Sequence, residues 1–268
     1  MKLKDFLSRH PVFTSEEFAA ALTAKQPRSK RTLESLLAYH TSTGQILRVR
    51  RGLYVAVPPG MDAETCPVDP FLFAAKMTSD AVLAYHTALQ FHGKAYSVRE
   101  QFLYCTRRLP RPATFRAYRF RAVAHSKKLQ AKGKELFGVD VVDRGGVSVR
   151  VTSLERTLVD VLDRPAFGGG WEEIWRSLDS VEFFDLDEVV EYTLLLRNAT
   201  TAAKVGFYLE QRRQDLMASE KHLASLRERR PRKPHYLDRS ARKSGRLVSA
   251  WNLVVPGEIL ERSWEEVS

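Results

Sequence analysis

Arg48, Arg50 and Arg51 crowd into four residues of GQILRVRRGLYVA, the stretch from Gly44 to Ala56. A guanidinium is always charged and can match two phosphate oxygens at once, so this density of arginine points to a polyanion. A second basic knot, Arg28-Ser29-Lys30-Arg31-Thr32, mixes cations with hydroxyls, a combination suited to phosphates and base edges. The third lies in RERRPRKPHYLDRSARKSGR, Arg227 to Arg246, with ten basic residues (His235 among them) and two acidic ones. There Arg229, Arg230, Arg232, Lys233, Arg242 and Lys243 offer a second phosphate-contacting surface or a dock for an acidic partner. A solvated basic loop explains the run equally well.

Other residue patterns are weaker as chemistry. Asp185-Leu186-Asp187 has the spacing of a metal-binding carboxylate pair, but a nucleotidyltransferase also needs a Gly-Ser turn upstream, and Leu178-Asp179-Ser180 has no glycine. Asp185 reads better as the cap of a helix over 186–196. A metal-dependent nuclease needs strand carboxylates followed two residues later by lysine. Glu135-Leu136-Phe137 lacks it, and Asp140 and Asp143 precede Val142 and Gly145 at that spacing. Gly168-Gly169-Gly170 is not followed by Gly-Lys-Ser/Thr, so it reads as a loop entering a helix. His86 and His92, six apart, do not share a helical face, and His86 is expected as a hydrogen-bonded core residue. Cys66 and Cys105 have no CxxC spacing and are expected as idle thiols in a reducing compartment. No catalytic residue, metal or cofactor is therefore expected. A winged-helix-targeted nuclease acting through Asp140 and Asp143 is the enzymatic alternative.

The chain has 268 residues, of which 44% are hydrophobic, enough for a sizeable core. Its net charge of +11 is uneven. Residues 1–57, 58–150 and 227–268 are net basic, whereas 151–226 are net acidic. No segment approaches membrane-spanning length, and MKLKDFLSRHPVF lacks a signal-length apolar core, so a cytoplasmic protein is expected.

The basic knots need elements to hold them. Thr14-x-x-Glu17 is a capping box, flanked by Phe13 and Phe18 at the positions of a hydrophobic staple. A helix from Ser15 to about Ala24 follows one over Lys2–Arg9. After Pro27, Ser29 can cap a helix whose Leu33, Leu36, Leu37 and His40 share a face. Gly44 ends it, and Leu47, Val49, Leu53, Val55 and Val57 alternate on either side of Gly52 as a hairpin. Helix, turn, helix and hairpin make a winged helix-turn-helix over residues 1–57. Such a fold sends its second helix into the major groove, N-terminal end first. The predicted DNA contacts are Arg28, Ser29, Lys30, Arg31 and Thr32 on that helix, and Arg48, Arg50 and Arg51 on the wing.

Residues 58–69, rich in proline, read as a linker, and 70–268 as a larger mixed α/β domain. Within it Val82, Tyr85, His86 and Leu89 predict a helix capped by Ser79 or Asp80 and stopped by Gly93. QFLYC and GGVSVRVTS predict strands. Thr152 with Glu155 predicts a second capping box, and Arg156 and Asp160 a surface pair. Helices are expected over 171–178, 186–196 and 202–218, with a late strand over 246–256.

RRGLYVAV, SDAVLAYHTALQFHG, VTSLERTLVDVLDRP, TTAAKVGFYLEQR and HYLDRS followed by WNLVVP together resemble the AbiEi antitoxins of type IV toxin–antitoxin (abortive infection) systems. The resemblance spans nearly the whole chain. It implies an N-terminal domain that binds double-stranded operator DNA at inverted repeats and represses its own operon. It also implies a C-terminal domain that counters a neighbouring nucleotidyltransferase-type toxin, by direct contact or through the toxin's consequences. The DNA-reading role carries over to Arg28, Lys30, Arg31, Thr32, Arg48, Arg50 and Arg51. A transcriptional repressor without antitoxin activity is the plainer alternative.

Overall fold

A computed structural model describes residues 3–23, 28–238 and 245–261. The chain forms two compact units: residues 1–83, 100–123 and 141–150 in the first, and 84–99, 124–140 and 151–268 in the second. The fold is mixed α/β, with a winged helix-turn-helix at its start and a larger mixed region after it.

The start follows local rules closely. Helices α1 (Leu3–Arg9), α2 (Ser15–Thr23) and α3 (Lys30–Ser42) surround strands β1 (Val12–Thr14), β2 (Ile46–Arg50) and β3 (Leu53–Ala56). The capping box closes as expected: Thr14 N–H donates to Glu17 at 2.8 Å, and Glu17 N–H to Thr14 Oγ1 at 3.2 Å. Phe13 and Phe18 stack with ring centroids 5.8 Å apart. With Phe6, Leu37, Ile46 and Tyr54 they form one core cluster. Strand β1, which three residues are too short to announce by pattern, pairs with β3 and makes it the central strand. Leu53, Tyr54 and Val55 are all buried, so the expected one-sided alternation does not hold there. Ile46, not Leu47 or Val49, is the β2 side chain in the core cluster.

Next come α4 (Pro70–Ala75), β4 (Val82–Leu83), α5 (His86–Phe91), β5 (Gln101–Thr106), β6 (Ala113–Phe115), β7 (Tyr118–Ala124), α6 (Lys127–Gln130), β8 (Val139–Arg144) and β9 (Val147–Thr152). Six strands form a sheet in the order β6-β7-β5-β4-β9-β8. The helix expected from Val82 starts only at His86. Val82 and Leu83 pair instead with Cys105 and Tyr104 of β5, and Tyr85 turns the chain at φ 58°. Every residue from Ala81 to Leu89 is buried, and a run buried all round carries no period to separate strand from helix. Asp80 caps nothing; it accepts from Thr106 Oγ1 at 2.6 Å and Arg107 N–H at 2.9 Å. Burial would raise its pKa, but these hydrogen bonds outweigh it and hold the carboxyl low.

The remaining elements are α7 (Leu154–Asp163), α8 (Pro165–Gly168), α9 (Trp171–Asp179), α10 (Leu186–Leu195), α11 (Ala199–Gln211), α12 (Glu220–Arg227), β10 (His235–Tyr236), β11 (Gly245–Val248), a 3-10 turn (Ser249–Trp251), β12 (Leu253–Pro256) and α13 (Gly257–Glu261). The late strand is thus two strands, antiparallel around a turn in which Asn252 takes φ 47°. Helix α11 ends at Gln211 rather than 218 and is buried from Thr201 to Leu209. Gly206 lies under Trp251, where a Cβ would come within 2.1 Å of the indole.

Two sequence expectations fail around α7. Its cap is Ser153, which accepts from Arg156 N–H; Thr152 closes β9 and meets Thr157 Oγ1 at 2.7 Å. Arg156 and Asp160 are no surface pair either, since Arg156 is only 2% exposed. Its Nη1 donates to the carbonyls of Glu135 (2.7 Å) and Phe137 (2.6 Å), and its Nε to Asp160 at 3.3 Å. Tyr192 donates to the other Asp160 oxygen at 2.8 Å. Spacing alone cannot say whether an i, i+4 pair faces water. Asp160→Ala would strand a buried guanidinium, and urea unfolding should show a loss of about 3–5 kcal/mol.

His86 is the buried histidine expected, with Nε2 2.9 Å from Glu173 Oε1. Burial lowers its pKa below 6.5, with Arg99 adding to the effect, against the pull of Glu173 and Gln90. Folding therefore favours neutral His86, a contribution fully present above the unfolded pKa and lost as pH falls from about 6.5 toward the folded value. His86→Gln should flatten the stability profile over that acid limb in denaturant titrations.

Candidate nucleic-acid interface

The N-terminal turn of α3 is set by its cap. Ser29, in extended backbone, accepts from Thr32 N–H at 3.1 Å, and the two hydroxyl oxygens are 2.8 Å apart. Arg28, Ser29, Lys30, Arg31 and Thr32 are all exposed. The opposite stripe of Leu33, Leu36 and Leu37 packs on the core cluster, so the cations have nowhere to point but outward. His40 completes that stripe and lies 2.7 Å from Gln45 Oε1. Tyr39, a large aromatic near the far end of α3, is 60% exposed. Sequence reasoning missed it, although an aromatic falling off the apolar stripe was the signal available.

On the wing, Arg48 and Arg51 are exposed and Gly52 takes φ 81°. The turn is held to α2 by Ser15 N–H donating to Gly52 O at 3.0 Å. Arg50 is half-buried, and its Nη2 donates to Met77 O at 2.8 Å. One of its five donors is thus spent inside the protein. Nearby, Lys76 pairs with Glu17 at 2.5 Å, the same carboxylate that completes the capping box. Arg150 donates to Ser79 O at 3.1 Å. Arg50, Arg51, Lys76 and Arg150 line a cleft of about 870 Å³ that also has Glu16 and Glu17 in its wall. The cleft is on balance cationic, and the wing charge continues into it.

The start of the second basic run, Arg227 to Pro231, is anchored rather than loose. Arg227 pairs with Glu220 (2.8 Å) and Glu210 (3.4 Å) and lies over the Trp251 ring. Arg230 donates to Arg227 O, and Asn252 donates to Pro231 O at 2.9 Å. Arg229, Arg232 and Lys233 are exposed; Arg242 and Lys243 lie outside the described residues. Asp185 caps α10 through Glu188 N–H, as expected. Asp187 lies 3.4 Å from His222. Among the described residues no three His, Cys, Asp or Glu side chains are grouped to hold a metal, and no helix is long and apolar enough to cross a membrane.

The cap generates a test. Ser29→Ala should cost about 1 kcal/mol in chemical unfolding. Ser29→Asp, which preserves the capping oxygen, should keep wild-type stability.

The fold as a whole is similar to that of the RV2827C protein from Mycobacterium tuberculosis, a crystal structure matched with a TM-score of 0.61 at 15% identity, over 98% of this chain and 93% of that one. No curated protein matches the sequence. Residues 1–57 match a family described as "Transcriptional regulator, AbiEi antitoxin". The family resemblance read from the sequence is therefore matched over the winged segment, residues 1–57.

Proposed function

We propose that this protein is a DNA-binding antitoxin that represses its own operon. Residues 1–57 bind operator DNA, with the first turn of α3 in the major groove and Arg48 and Arg51 on the flanking backbone or minor groove. The observation that carries the reading is a winged helix matching a regulator family, with both cation-bearing ends exposed. Arg50 joins the contact only with the donors left over from Met77. Residues 70–268 counter a nucleotidyltransferase-type toxin encoded alongside. The protein works in the cytoplasm, without catalysis of its own and without a cofactor.

Fluorescence anisotropy with the DNA upstream of the gene tests the DNA half. Arg31→Ala and Arg51→Ala should each weaken binding and reduce the slope of log affinity against log salt by about 0.9, with unchanged melting temperature. Variants that bind and respond to salt like the wild type would remove these residues from the interface. Co-expression with the adjacent toxin gene tests the other half: restored growth supports an antitoxin, and persistent arrest with soluble protein leaves a repressor only.

A further inference from the structure

The second unit holds a cationic recess that DNA reading leaves unused. Its volume is about 610 Å³, within the range of small-ligand sites. Lys132, Arg197 and Arg229 line it, three cations from three separate segments of the chain. All three are exposed, and none makes an ion pair or side-chain hydrogen bond among the described residues. Other arginines of this unit behave differently: Arg156, Arg164, Arg176, Arg212, Arg213 and Arg227 each have a carboxylate partner. Among the described residues Glu191 is the one carboxylate that lines the recess. Asp163, near the same end of α11, is engaged by Asn198 and Thr201.

Arg197 carries a further mark. It sits at φ 47°, a left-handed conformation that L residues with a side chain adopt at a cost. Glycine or asparagine would suit the turn better, so the sequence keeps a guanidinium where the backbone does not favour one. The turn also sets Asn198 to cap α11, whose N-terminal dipole favours negative charge at this rim. Leu194, Leu195, Ala199 and Ala202 give the lining an apolar part as well. Cations and apolar side chains lining one recess suit a ligand that carries both phosphates and a ring.

We propose that this recess binds a phosphate-bearing ligand: a nucleoside triphosphate, or the phosphates of a polynucleotide strand. Lys132, Arg197 and Arg229 hold the phosphates, and the leucines take the base or sugar. Arg229 thereby gives part of the 227–246 basic run a specific task.

The test is calorimetric titration of the full-length protein with tripolyphosphate, ATP and a single-stranded RNA dodecamer. Saturable binding that weakens as salt rises is expected. Arg197→Gly removes the guanidinium while suiting the left-handed backbone, and should weaken binding about tenfold. Lys132→Gln should do the same, Arg197→Lys should restore part of the loss, and Arg108→Ala, at an exposed cation in neither basic site, should leave ATP binding unchanged. Binding of ATP identifies the nucleotide as the source of the phosphates, and binding of RNA alone identifies a strand. Absence of saturable binding to all three probes, or binding unchanged in both Arg197→Gly and Lys132→Gln, overturns the proposal.

Discussion

A guanidinium taken out of water must find an acceptor in every direction it can donate, or the fold loses several kcal/mol. Arg156 sets that condition for the second unit. It draws together the carbonyls of Glu135 and Phe137, the carboxylate of Asp160 and the ring of Tyr192. These belong to three stretches far apart in sequence, so one charge fixes how they meet. Gly138 yields space, since a Cβ there would stand 3.0 Å from the Cβ of Arg156. Lys204 performs a related task at the other end of α7, donating to Leu162 O. That end of the helix presents unpaired carbonyls and a negative dipole, which a cation from α11 complements.

The first unit solves the opposite problem. The cations of its α3 turn, with Arg48 and Arg51, face water, repel one another, and need a rigid support that does not depend on them. The support is aromatic: Phe6, Phe13, Phe18 and Tyr54 meet in stacked and edge-on pairs at centroid distances of 5.1 to 5.8 Å. Such pairs add directionality to apolar burial, which keeps helix and hairpin in one relation. The charge can then be arranged for a partner rather than for folding.

Most of the winged segment was legible because its signals are local. A capping box, a staple, a heptad-like stripe and a glycine at a turn each speak within a few residues. The strands QFLYC and GVSVRVTS were legible by pattern, and so were the cation knots, since charge is visible in composition. What stayed hidden depends on partners brought in from elsewhere. Val82 is a strand residue only because β5 lies beside it. Arg156 is buried only because the 135–137 segment covers it. Arg50 looked like an outward charge until Met77 supplied a carbonyl, and Lys132, Arg197 and Arg229 share no sequence signal that would place them around one recess. Tyr39 was available to a closer reading of the α3 face.

The hold on Arg50 bears on what could be exchanged between proteins of this kind. Glu17 and Arg50 both reach past residue 57, to Lys76 and Met77. A chimera spliced after the hairpin would carry the wing's sequence without the two struts that fix its angle. The recipient would have to supply a lysine and a carbonyl in the same places. The transplantable module is therefore longer than the segment that carries the proposed DNA contacts, and its seam belongs beyond α4.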